Sequence, residues 1–70
     1  MKLPLTKKQE KVLNKLISFI TDKGYSPTIR EFQKLIKVNS VSNAWDYLAR
    51  LEKSGWIIRG SKPRSIKINK

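Results

Sequence analysis

Two helical patterns lie within residues 28–55, separated by only three or four residues. So short a connection forces the two helices to cross at a steep angle, the helix-turn-helix arrangement. Thr28-Ile29-Arg30-Glu31 is a capping box, with a hydroxyl for the backbone donors and a carboxylate three residues on to reach back. Ile29, Phe32, Leu35 and Ile36 follow at helical spacing, which predicts a helix over 29–36. Lys37-Val38-Asn39 is the turn, Ser40 caps the next helix with Asn43 at its third position, and Gly55 stops that helix after residues 41–54.

The flanking segments complete a unit around this pair. Thr6-Lys7-Lys8-Gln9 is a second capping box, opening a helix over 7–23 with Val12, Leu13, Leu16, Ile17, Phe19 and Ile20 on its apolar stripe. Gly24 ends it, and Pro27 drives Ser26 out of helical geometry. After Gly55 the period changes. Trp56-Ile57-Ile58-Arg59 is β-prone and Ile66-Lys67-Ile68-Asn69 alternates, around the basic turn Gly60-Ser61-Lys62-Pro63-Arg64-Ser65. A β-hairpin wing over 56–68 is expected, with Pro63 stiffening its tip. Residues 1–70 therefore read as one domain, mainly α with a small β-hairpin: a three-helix winged helix-turn-helix.

Composition narrows the chemistry. Seventy residues support one modest core, burying about 60% of the unfolded surface. With no cysteine and no histidine, disulfides, zinc fingers and Cys/His nucleophile systems are excluded. The apolar runs are only a few residues long, and no signal peptide precedes Thr6, so a soluble cytoplasmic chain is expected, at the nucleoid if it binds DNA. Sixteen Lys and Arg stand against Glu10, Asp22, Glu31, Asp46 and Glu52, a formal net charge of +11. A solvated lysine-rich surface accounts for some of this excess. Its persistence into the turn and tail points to a polyanion, with duplex DNA favoured over a membrane because no helix sets a basic face against a continuous Trp/Leu/Phe face.

A helical wheel of the third helix places Val41, Ala44, Leu48 and Leu51 on the core side. Ser42, Asn43, Asp46, Ala49, Arg50 and Lys53 lie opposite, with Trp45 and Tyr47 on the flanks. The short polar side chains suit base edges: Asn pairs bidentately with adenine, Asp accepts from cytosine, Ser is permissive. Arg50 and Lys53 would reach phosphates, as would the Tyr47 hydroxyl. Each residue also has a plainer reading, Ser42 and Asn43 as first-turn residues and Trp45 as a partner for the core, Trp56 or the wing. Thr28 and Arg30 stand where a helix N-terminus suits a phosphate, although capping alone explains Thr28. In the wing, Lys62 and Arg64 could meet the backbone or the minor groove. Lys7, Lys8 and Lys11 are expected to act only through long-range steering.

These blocks carry a resemblance. Leu5-Thr6-Lys7-Lys8-Gln9, Gly24-Tyr25-Ser26-Pro27-Thr28-Ile29-Arg30-Glu31, Leu48-Ala49-Arg50-Leu51-Glu52-Lys53-Ser54-Gly55-Trp56-Ile57 and Lys62-Pro63-Arg64-Ser65-Ile66-Lys67-Ile68 resemble, in order and spacing, the N-terminal DNA-binding domain of the LexA repressor family. The resemblance implies a winged domain that reads operator DNA as a homodimer and represses promoters. By position it implies base reading by Ser40, Ser42, Asn43, Trp45 and Asp46. Trp45, Asp46 and Tyr47 depart from the family pattern, and Lys37 stands where a turn glycine is expected. A different operator from the family's damage-response box is therefore expected. The family's self-cleaving protease domain has no counterpart in these residues, which implies a domain of a longer repressor or a stand-alone bacterial or phage regulator.

Sequence-specific binding of double-stranded DNA, with transcriptional repression, is the leading expectation. A protein-interaction winged helix docking through its third helix and Trp45/Trp56 is the alternative, and a left-handed-duplex binder is disfavoured because no aromatic follows Pro63. An enzyme is not expected: no paired carboxylates or phosphate-cradling loop appear, and no cofactor or metal is implied.

Overall fold

The computed structural model describes residues 2–62 and 64–69; the expected stiffening by Pro63 lies outside them. Three helices, α1 (Lys7–Lys23), α2 (Ile29–Ile36) and α3 (Val41–Lys53), precede strands β1 (Ile57–Ile58) and β2 (Lys67–Ile68). The strands pair antiparallel, with Ile57 opposite Ile68 and Ile58 opposite Lys67. Among the described residues, no helix is long and apolar enough to cross a membrane.

Each helix boundary has a local chemical cause. Thr6 Oγ1 accepts from the Gln9 amide at 3.2 Å, and Gln9 Oε1 accepts from the Thr6 amide at 3.1 Å. The Thr28–Glu31 box repeats this at 3.2 and 2.9 Å, and Ser40 Oγ accepts from the Asn43 amide at 3.2 Å. These contacts satisfy amide donors that have no partner within their own helix. Gly24 ends α1 in the left-handed region (φ 80°). Lys37 ends α2 in the same region (φ 58°), a conformation that costs a side-chain-bearing residue about 1 kcal/mol.

The buried core is shared among the three helices and β1, with Ile68 of β2 packed against it. Val12, Leu13 and Leu16 of α1, Phe32 of α2, Ala44, Leu48 and Leu51 of α3, and Ile57 of β1 are buried together. The apolar stripe of α1 is narrower than its sequence suggests. Ile17 is exposed and Phe19 is only half-buried, edge-on to Tyr25 at 6.0 Å between ring centroids.

The wing strands are also shorter than the expected runs of four. The Arg59 amide donates to the Glu52 carboxylate instead of a neighbouring strand, while at the other end the Trp56 carbonyl still accepts from the Asn69 amide at 3.0 Å and the Trp56 indole donates to the Leu3 carbonyl at 2.6 Å. Within the wing, Gly60 approaches Ser65 so closely that an added Cβ would sit 2.9 Å from the Ser65 Cβ.

A hidden polar anchor holds the wing against the start of α2. Ser26 is buried; its hydroxyl accepts from the Ile66 amide at 3.2 Å and its carbonyl accepts from Arg64 Nη1 at 3.2 Å. Arg64 also pairs with Glu31 at 2.7 Å and lies over the Tyr25 ring at 4.5 Å. Arg64 itself has φ 56°, so these contacts hold a strained backbone. Glu31 thus caps α2 and clamps the wing with one carboxylate. The Thr28 backbone amide, and then the Arg64 guanidinium, hold that carboxyl below its ordinary range.

Two outcomes follow from these contacts. Lys37→Gly should raise stability by about 0.5–1 kcal/mol, read as a higher denaturant midpoint, because relief of left-handed strain exceeds the added flexibility of the unfolded chain. For Glu31, a depressed folded pKa contributes stability that is present above the ordinary carboxylate range and is lost as pH falls through the depressed value. Acidification should therefore move the Ile66 amide resonance with the Glu31 titration, and Glu31→Gln should abolish that movement.

Candidate nucleic-acid interface

Burial of Ala44, Leu48 and Leu51 leaves the remainder of α3 outside. Ser42, Asn43, Trp45, Asp46, Ala49, Arg50 and Lys53 are exposed, and Tyr47 is half-buried. At about 100° per residue, Ser42, Asp46, Ala49 and Lys53 form the middle of the open face. Trp45 and Glu52 share one flank, while Asn43 and Arg50 share the other.

The two flanks meet different neighbours. On one side Asn43, Asp46, Tyr47 and Arg50 line a shallow depression with Thr6 and Lys8 from the start of α1. Lys8 therefore stands at the lip of the α3 surface, a closer position than the long-range steering expected of it. Nothing in its local sequence marks this, because the proximity arises from packing of α1 on α3. On the other side, a cleft between α3 and the wing brings together Thr28, Arg30, Trp45, Arg59, Lys62 and Arg64, over an apolar floor that includes Pro27 and Leu48. Arg59 is the member that sequence reading missed. It lies over the Trp45 ring, 5.3 Å from its centroid, and forms a forked contact with Glu52.

The expected site residues differ in what else they do. Ser40 is half-buried and its hydroxyl oxygen accepts from the Asn43 amide in the α3 cap, which leaves its proton and one lone pair to be offered outward. The Thr28 hydroxyl likewise accepts from the Glu31 amide. Asp46 pairs with Arg50 at 3.2 Å, one turn along α3, with both side chains more than 60% exposed. Such a pair is worth about 0.3–0.5 kcal/mol and exchanges readily for other partners. Arg64 is committed to Glu31, Ser26 and Tyr25, so a phosphate contact from it would compete with the wing anchor. Trp45 is 47% exposed and lies against Arg59 at the base of the wing, one of the partners its plainer reading allowed.

Charge is distributed unevenly over this surface. Among the described residues, Arg50, Arg59 and Arg64 are paired with Asp46, Glu52 and Glu31, the three carboxylates of α2 and α3. Arg30, Lys8, Lys53 and Lys62 form no ion pair among those residues and remain as positive points around an electrically neutralised centre. The guanidinium forks of Arg50, Arg59 and Arg64 are engaged within the protein, while the lysines and Arg30 carry their charge unpaired among the described residues. The result is a polar, protruding helix face bordered by cations on both flanks.

Comparison with known proteins agrees with this geometry. Residues 1–65 match the family model described as the LexA DNA binding domain. The LexA repressor of Caldicellulosiruptor saccharolyticus is 46% identical over 69 residues, covering 97% of this chain and 34% of that protein. The LexA repressor of Pseudothermotoga lettingae is 38% identical over 68 residues, with the same two coverages. The LexA repressor of Clostridium perfringens is 42% identical over 62 residues, covering 87% of this chain and 30% of its own length. The chain thus spans about a third of the length of these relatives. With its capped helix pair, its wing and a family match across residues 1–65, the chain belongs to the LexA DNA binding domain family.

Proposed function

We propose that this chain binds double-stranded DNA sequence-specifically and acts as a transcriptional repressor by occupying promoter sites. The observation that carries the reading is the open polar face of α3, flanked on both sides by lysine and arginine side chains on a chain of net charge +11. A half-buried helix of this kind fits the major groove, with its first turns toward the bases. Ser42, Asn43, Trp45 and Asp46 read base edges, with Ser40 offering its hydroxyl proton. Lys53, Lys62, Arg30, Thr28 and Tyr47 meet the backbone. Arg50 and Arg64 join them to the extent that DNA displaces Asp46 and the wing anchor.

A single module of this size makes on the order of four to six phosphate contacts, for a log–log salt slope of about −4 to −5. Two copies on a two-fold site, with half-sites about 34 Å or multiples of it apart, supply the specificity that one module lacks. Operators in the cytoplasm, at the nucleoid, are the natural target. Trp45 and Asp46 depart from the family pattern at base-reading positions, so the operator differs from the family's damage-response box.

Selection from a random duplex library at two salt concentrations tests the reading. An inverted repeat is the expected product; enrichment without a motif, or no retained DNA at low salt, would overturn it, the latter in favour of a protein partner at Trp45. Asn43→Ala should cost about 1–3 kcal/mol on the best site and relax preference at one base pair only. Asp46→Ala should do the opposite on mixed DNA. It removes a negative charge from the face that approaches a polyanion and releases Arg50, so nonspecific affinity should rise several-fold while discrimination falls, read by titration against scrambled and selected duplexes.

A further inference from the structure

Trp45 and Glu52 are seven residues apart, which places them on one flank of α3 about 10 Å from each other along its axis. Arg59, projecting from the wing beside β1, fills the space between. Its Nε and Nη2 both donate to Glu52 Oε1, at 3.1 and 2.9 Å, and its own amide donates to Oε2 at 3.4 Å. Its guanidinium carbon lies 5.3 Å from the Trp45 ring centroid. The Arg59 side chain is 23% exposed, against 61% for Arg50 and 39% for Arg64, making it the most enclosed of the three paired arginines.

An exposed tryptophan on a helix ordinarily samples more than one rotamer. Here the ring has a flat cation against it, and that cation is held by a carboxylate on the same helix. A guanidinium gripped along one edge keeps its face available for stacking on an aromatic ring. The same three side chains tie the α3 flank to the base of the wing, so the angle of the ring and the position of the wing are coupled.

We propose that Glu52 and Arg59 are positioning residues for Trp45: the Glu52–Arg59 fork holds the indole in the one orientation from which it meets a base step, so specificity at that step depends on a carboxylate that itself reaches no DNA. This rests on the DNA-binding reading above. It adds two residues to the specificity apparatus, one on the core-side edge of α3 and one on the wing.

The test uses the full chain in a Trp56→Phe background, where Trp45 is the remaining indole. Arg59→Ala, the milder Glu52→Gln, and the exchanged pair Glu52→Arg/Arg59→Glu are compared by Trp45 emission in the free protein, denaturant midpoint and library selection. Arg59→Ala should change the emission and flatten preference several-fold at one or two adjacent base pairs, leaving the position read by Asn43 intact. Glu52→Gln should produce a smaller change of the same kind. The exchanged pair restores an ion pair but puts a carboxylate over the ring. It should recover the midpoint without recovering emission or preference.

Recovery of preference in the exchanged pair would make the contact merely structural and overturn the proposal. So would unchanged Trp45 emission in Arg59→Ala. A uniform loss across all sequences with a salt slope flatter by about one would make Arg59 a phosphate contact and overturn it as well. Absence of DNA binding by the Trp56→Phe parent and by the unmutated chain would instead bring down the underlying DNA reading, a result distinct from any change confined to the variants.

Discussion

Everything on the surface of this domain follows from how much of α3 the core consumes. Ala44, Leu48 and Leu51 seat that helix against Leu16 and Phe32, all of them within 1% of complete burial. A fully buried alanine lets a neighbouring helix approach closely, which suits the steep crossing imposed by the short turn. In so small a chain the burial of these few side chains is a large part of the available hydrophobic stabilisation, since each contributes about 1–3 kcal/mol. The core takes one side of α3, and the other side carries Ser42, Asn43, Asp46, Arg50 and Lys53, polar side chains that are exposed. Among the described residues the polar face of α3 stays exposed.

The corner that sets this geometry is held by strain as well as by packing. Lys37 turns the chain in a left-handed conformation, and Arg64 does the same in the wing. Each is held in place by its surroundings: Lys37 donates its amide back to the end of α2, and Arg64 reaches Glu31, Ser26 and Tyr25. Glu31 connects the two regions, because the carboxylate that caps α2 also clamps the wing. The wing is held both by this polar seam and by Ile57, Ile66 and Ile68, which pack into or against the core.

Electrostatics then divide the basic residues into two populations. Three arginines are engaged with carboxylates on or beside α2 and α3, while lysines dominate the surrounding surface. Sequence alone counts sixteen positive charges as equivalent. The fold sets Arg59 and Arg64, which tie the wing to α3 and α2, apart from Arg50, whose exposed pair lies within one helix, and from the unpaired cations.

The helices were legible in the sequence because their signals are local. The boxes at Thr6 and Thr28, the cap at Ser40 and the stops at Gly24 and Gly55 each act within a few residues, and the apolar period chose the buried side of α3. The approximate place of the hairpin was legible too, from the change of period after Gly55. Three features were not: the burial of Ser26 beneath the wing, the approach of Lys8 to α3, and the Glu52–Arg59–Trp45 chain. Ser26 and Ile66 are forty residues apart, and Arg59 meets Trp45 only because the wing folds back across the helix. Local propensity decided which residues form helices and which side of each is apolar. The i,i+4 spacing of Asp46 and Arg50 already encodes their pairing, but only tertiary packing decided that Glu52 meets Arg59 and Glu31 meets Arg64, because those distances join segments that no local pattern connects.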